Sequence, residues 1–105
     1  MRRGSTPTNV FNCNIDLTDA TVFVTYSQMG LNLVEKTGNA LSISATNTGC
    51  TVTVELTQED TLKFKTGRVM VQIRYVMSNG SADASNIIQT NAEAILKDGV
   101  IEYAV

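Results

Sequence analysis

At 105 residues the chain has room for one domain and no second hydrophobic core. Its 8 Lys and Arg against 10 Asp and Glu give a formal charge of −2, which argues against nucleic-acid binding through a broad basic surface. Histidine is absent and the glycines are scattered singly, so the sequence predicts no enzyme, no cofactor, no metal site and no small-molecule ligand.

Apolar and polar residues alternate along most of the chain, which predicts strands with one buried face. The clearest case is the segment from Cys50 to Leu56, where Val52 and Val54 point inward and Thr51 and Thr53 point outward. In chain order we expect strands near residues 11–15, 21–27, 31–36, 41–45, 50–56, 69–77 and 84–92. Gly-, Asn- and Asp-containing turns separate them and no crossover helix intervenes, so the predicted fold is an all-β, two-layer antiparallel sandwich of about seven strands.

Two segments carry helix signals. Thr57 can cap the amide of Asp60, which predicts one short helical turn near 58–62. Residues 92–97 favour a short C-terminal helix, and residues 99–105 are compatible with a further strand.

The first eight residues show no alternation, so we expect a flexible N-terminal arm at 1–8 ahead of a single domain at 9–105. No apolar stretch follows Arg2 and Arg3, and no run is long enough to cross a bilayer. The sequence therefore predicts neither an export signal nor membrane insertion.

The two cysteines lack a CxxC partner and any histidine that could complete a zinc site. Cys13 and Cys50 both fall at apolar positions of predicted strands, so the first interpretation is a pair of buried thiols. A disulfide is the second interpretation, and it requires strands that place the two Cα atoms within about 7 Å.

Several residues are candidate assembly contacts. Met70 and Val76 are apolar on the predicted outer face of their strand, and Thr51 and Thr53 form a flat polar face that suits pairing if their strand lies at a sheet edge. Arg2 and Arg3, in the arm, could order against a neighbouring subunit. Asp16 and Asp19 flank a turn, where side-chain capping explains them better than calcium binding.

Four stretches resemble the N-terminal immunoglobulin-like module of bacteriophage baseplate upper proteins and related small phage tail proteins. They are Arg2-Arg3-Gly4-Ser5-Thr6-Pro7-Thr8, Asp16-Leu17-Thr18-Asp19-Ala20-Thr21-Val22, the segment from Cys50 through Leu62 to Gly67, and the strand from Arg68 to Met77 with its Ser78-Asn79-Gly80 turn. The likeness spans about residues 1–95. Asp19 stands where the family has glycine, and the family continues into a helical linker where this chain stops at Val105.

This resemblance implies an immunoglobulin-like β-sandwich and a non-catalytic structural virion protein of a tailed phage or prophage, in the tail or baseplate. Such a protein would be synthesised in the bacterial cytoplasm, contact other phage structural proteins and form a homo-oligomer. The alternative is a carbohydrate- or receptor-binding immunoglobulin-like module. An aromatic content of 6% without tryptophan argues against that alternative, because sugar-binding surfaces favour exposed aromatic rings.

Overall fold

Strand-forming segments dominate the computed structural model of the protein, which describes residues 1–104. The eight strands are β1 Thr8–Cys13, β2 Thr21–Gln28, β3 Leu31–Thr37, β4 Leu41–Ala45, β5 Cys50–Glu55, β6 Gly67–Val76, β7 Ala82–Ala84 and β8 Ile88–Ala92. A 3₁₀ turn over Gly38–Ala40 joins β3 to β4, and helix α1, Gln58–Leu62, joins β5 to β6.

All strand pairs are antiparallel and form two sheets. One has three strands in the order β1-β5-β4, and the other has five, with β3, β2 and β6 in order and both β7 and β8 pairing the far side of β6. The order β1-β5-β4 corresponds to strands B-E-D of a variable-type immunoglobulin domain. The order β3-β2-β6, followed by β7 and β8, corresponds to its strands C′-C-F-G. The fold is therefore an immunoglobulin-like β-sandwich, and among residues 1–104 no strand occupies the place of strand A beside β1.

The core lies between the two sheets and follows the predicted alternation. Val52 and Val54 of β5 are fully buried, and they face buried β2 residues such as Val24 and Tyr26. The Tyr26 hydroxyl accepts a hydrogen bond of 2.7 Å from the Asn9 amide, so this large ring is buried with its polar atom satisfied. Burial raises the pKa of Tyr26, against a smaller lowering by the bond from Asn9.

The predicted helical turn is confirmed, and it carries an ion pair. The Asp60 amide donates to Thr57 Oγ1 at 3.1 Å, and the Thr57 amide donates to Asp60 Oδ2 at 2.9 Å, which is a capping box. Lys36 Nζ lies 2.7 Å from the same carboxylate, with both side chains mostly buried. Burial alone would raise the pKa of Asp60, but the bonds from Lys36 and Thr57 outweigh it and the net shift is downward.

The strand predicted over 84–92 is two strands, so the sandwich has eight rather than seven. At Ser85 the side chain replaces a backbone partner: the Ile73 amide donates to Ser85 Oγ at 3.0 Å, while the Ser85 amide donates to the Ile73 carbonyl at 2.8 Å. This local change in pairing ends β7, and β8 resumes at Ile88.

The short C-terminal helix predicted over 92–97 is wrong. Ala92 is the last residue of β8, is buried, and pairs with Gly67, while Glu93 forms a parallel bridge to Arg2. Long-range pairing therefore occupies the backbone that a helix would need. Residues 94–104 contain neither helix nor strand, so the strand predicted over 99–105 is not found at 99–104. Val105, its last residue, lies outside the described residues.

The N-terminal arm predicted to be flexible is instead attached to the domain. The Met1 ammonium donates to the Asn91 carbonyl at 2.7 Å, and the Arg3 amide donates to the Glu93 carbonyl at 3.0 Å. Further along, the Ser5 carbonyl accepts from Thr61 Oγ1 at 2.8 Å, and the Pro7 carbonyl accepts from the Leu56 amide at 3.0 Å. Residues 1–7 therefore close one end of the sandwich.

Candidate functional site

The outward surface of the five-stranded sheet has a depression at its centre. Strand pairing places Phe23 opposite Arg74, Thr25 opposite Gln72, and Ser27 opposite Met70. Together with Ile87, from the segment between β7 and β8, these side chains line a depression of about 590 Å³. We call this surface the β2–β6 face.

Apolar side chains on the β2–β6 face are not needed by the core. The inward positions of β2 and β6 already fill it with residues such as Val24 and Val71. Phe23 and Met70 are half-buried on the opposite side of the sheet, and Ile87 is 60% exposed. A cluster of large apolar groups that contributes nothing to the core is typical of a contact surface.

Charged and polar residues are interspersed with these apolar side chains. Arg68 and Arg74 project outward from β6, and Glu35 projects from β3, where its Oε1 accepts a 3.1 Å hydrogen bond from Thr25 Oγ1. Thr25 and Gln72 are paired between Phe23 and Met70. Among residues 1–104 neither arginine forms a salt bridge within the chain. A surface that combines large apolar side chains with arginine and polar groups is common in protein–protein interfaces.

The opposite surface, on the three-stranded sheet, is different. Thr51 and Thr53 lie on it and are half-exposed, beside the exposed Ser42 and Ser44 of β4. Their strand is the central one, bonded to β1 on one side and β4 on the other. The edge position that strand pairing through Thr51 and Thr53 would require is therefore absent from the described residues, and only their side chains are available for contacts.

A groove of about 770 Å³ opens between β1 and the β7–β8 side of the other sheet. Phe11 and Cys13 line it from one sheet, and Ile73, Tyr75 and Ile88 line it from the other. In the described part of the chain no strand lies beside β1 on that side, so the edge between the two sheets is open there.

The six predicted contact residues do not form one site. Met70 and Val76 lie on the β2–β6 face, with Val76 near its end, whereas Thr51 and Thr53 lie on the other sheet. Arg2 forms a 3.3 Å salt bridge with Glu93. The Arg3 guanidinium donates to the carbonyls of Leu62 and Phe64 and pairs with Asp98 at 3.3 Å. Both arginines thus have partners within the chain.

Sequence reasoning missed Phe23, Ile87, Arg74 and Glu35. The alternation in β2 contained a signal for Phe23, because Val22 and Val24 on either side of it are the inward residues. The position of Ile87 could not be read in the same way, since it follows the change of pairing at Ser85.

Within residues 1–104, no group of three or more His, Cys, Asp or Glu side chains is placed to hold a metal ion. Asp16 caps its own turn: its Oδ1 accepts from the Thr18 amide at 3.0 Å and from the Thr18 hydroxyl at 2.8 Å, and these bonds lower the pKa of Asp16. None of the helices in this part of the chain is long and apolar enough to cross a membrane.

Comparison with known proteins finds a distant likeness in fold. No protein-family model and no curated protein sequence matches the chain. The chain is similar in structure to the V domain of amphioxus IgVJ-C2, with a TM-score of 0.36, 8% identity, and coverage of 90% of this chain and 97% of that chain. That likeness is too low to carry an argument, so the fold assignment rests on the strand order given above.

Proposed function

We propose that this chain is a non-catalytic structural domain that assembles through the β2–β6 face. The observation that carries the proposal is the cluster of Phe23, Met70 and Ile87 around one depression, on a face where folding alone requires no large apolar side chain. Burying such a cluster against another protein would remove apolar area from water, which is the main favourable term in most protein associations.

The partner that fits this face best is a second copy of the same chain. Arg68 and Arg74 lie on β6 and Glu35 lies two strands away on β3, so the face carries opposite charges separated across its width. In a face-to-face dimer whose twofold axis runs parallel to the strands, the β6 side of one copy meets the β3 side of the other. The arginines of one copy then face the glutamate of the other, and the apolar side chains of both copies are buried between them.

The biological setting is a separate part of the proposal. The resemblance of residues 1–95 to the immunoglobulin-like modules of phage baseplate upper proteins supports a place in the tail or baseplate of a tailed phage or prophage, among other phage structural proteins. This setting depends on the sequence resemblance alone. It is compatible with self-assembly, because tail and baseplate components work as fixed oligomers.

Sedimentation equilibrium over a wide range of protein concentration tests the proposal. Wild-type protein is expected to self-associate, and Met70→Lys is expected to weaken the association at least about tenfold because it replaces a large apolar contact residue of the β2–β6 face by a charge. Thr53→Lys is the matched control, since it adds the same charge to a half-exposed outward position of the other sheet. A wild-type protein that stays monomeric, or equal weakening by both variants, would contradict the proposal.

A further inference from the structure

Cys13 and Cys50 are directly opposite each other in the β1–β5 ladder, where they form its last residue pair. Opposed residues in an antiparallel pair have Cα atoms about 4.5–5.5 Å apart, within the range that a disulfide spans. Both side chains also point to the inner side of the sheet, because they continue the inward series that includes Phe11 and Val52. Both cysteines are thiols in the structure.

The turn before Cys50 holds this pair in register. A Cβ atom at Gly49 would collide with the Cys13 carbonyl oxygen, so only glycine allows the two backbones to approach so closely. The Gly49 carbonyl also accepts a 2.9 Å hydrogen bond from the Thr46 amide, which closes the β4–β5 turn. The opposition of the two thiols is therefore part of the fold and does not need a rearrangement.

Access to the two sulfurs is unequal. Cys13 is half-buried and lines the open groove between β1 and the β7–β8 side. Cys50 is 1% exposed and does not line the groove. A small reagent that enters the groove can therefore reach Cys13 but not Cys50.

We propose that Cys13 and Cys50 are an intramolecular disulfide site, oxidised by exchange with a low-molecular-weight disulfide such as oxidised glutathione, with Cys13 reacting first. The Cys13 thiolate attacks one sulfur of oxidised glutathione, forms a mixed disulfide, and releases one glutathione thiolate. Cys50 then loses its proton and attacks Cys13 Sγ, which forms the Cys13–Cys50 bond and releases the second glutathione. The protein loses two hydrogen atoms in total, and the glutathione disulfide is reduced to two thiols.

The reaction is expected to accelerate as pH rises. Burial raises the pKa of the Cys13 thiol, and the neighbouring Cys50 raises it further, so little thiolate is present near neutral pH. Because the thiolate is the attacking species, the rate should increase through the alkaline range up to the raised pKa.

Mass spectrometry of intact protein incubated with oxidised glutathione in mildly alkaline buffer tests the proposal. Wild type is expected to lose two hydrogen atoms without retaining glutathione. Trypsin cleaves after Arg3, Lys36 and Lys63, so the oxidised protein should yield peptide 4–36 linked to peptide 37–63. Adding a reductant should release the two peptides.

Two variants distinguish the order of reaction. Cys50→Ala should stop at one glutathione adduct on Cys13, and Cys13→Ala should remain unmodified while it is folded, as judged by circular dichroism. Wild type that accumulates a stable glutathione adduct, or that remains fully reduced, would overturn the proposal. This outcome is independent of whether the β2–β6 face mediates assembly.

Discussion

The outward surfaces of the two sheets cover the same core but have different compositions. The three-stranded sheet shows the solvent Thr51, Thr53 and short serines, with Val10 as an exposed apolar side chain, whereas the β2–β6 face presents Phe23 and Met70 around a depression. The first surface has a composition that strand formation alone explains, since β-branched residues suit an exposed pleated face. The larger apolar side chains on the other surface are a feature that folding does not explain.

The largest expected effect is the loss of stability when a charge is placed at an inward-facing position of β5. Val54→Asp should cost about 4 kcal/mol or prevent folding, because it buries an unpaired charge in the fully buried core. Thr53→Asp, one residue earlier and outward-facing, should be tolerated. Thermal melts followed by circular dichroism measure the stability of both variants. Similar losses of stability would show that the assignment of inward and outward residues in β5 is wrong.

A smaller loss of stability is expected when the ion pair between Lys36 and Asp60 is broken. Asp60→Ala removes one half of the capping box and leaves Lys36 without its carboxylate, and these two losses together should cost about 2 kcal/mol. Glu59→Ala is the matched control on the same helical turn, because Glu59 is exposed. Urea denaturation measures the unfolding free energies of both variants. An equal loss in the two variants would contradict the structural role assigned to Asp60.

Acid titration sharpens this prediction. The pKa of Asp60 is lowered on folding, so its contribution is fully present above the unfolded value of about 4 and is lost as pH falls through the lower folded pKa. The difference in unfolding free energy between wild type and Asp60→Asn should be constant at neutral pH and should shrink in acid below about pH 4. A difference that does not change with pH would contradict the assigned ion pair.

The smallest effect is a gain in stability at the tip of the β2–β3 hairpin. Met29 and Gly30 form a two-residue loop with φ of 52° and 78°, a conformation in which Asn-Gly is favoured, and Met29 is 84% exposed. Met29→Asn should therefore stabilise the domain by about 0.5–1 kcal/mol.

The control for this gain is Thr48→Asn, in the β4–β5 turn. Thr48 is exposed and has no positive φ, so the same new side chain should bring no gain there. Chemical denaturation compares the two variants. Loss of stability in Met29→Asn would mean that the side chain of Met29 makes contacts that its exposure does not indicate.

Local patterns predict most of the fold, but not the contacts between distant segments. Alternation located β2 and β5, and the Thr57 and Asp60 pair located α1. The central position of β5 depends on its pairing with β1 and β4, which no local pattern records. Residues 92–97 satisfied a helix pattern, yet pairing with β6 and the N-terminal residues determines their conformation.

The candidate site was predictable where a residue departs from alternation. Met70 and Val76 are apolar at outward positions of β6, and this departure is visible in the sequence. Phe23 lies in a strand rich in aromatic and β-branched residues, where one more apolar side chain does not stand out. Its closeness to Met70 and Ile87 depends on the β2–β6 register and on the change of pairing at Ser85.

We propose that contacts form through the β2–β6 face and not through the surface of the three-stranded sheet. Amide chemical shifts of isotope-labelled protein, followed by NMR over a dilution series, distinguish the two surfaces. We expect concentration-dependent shifts at Phe23, Met70 and Gln72 and unchanged signals at Thr51 and Thr53. Shifts confined to the strand of Thr51 and Thr53, or none at any concentration, would contradict it.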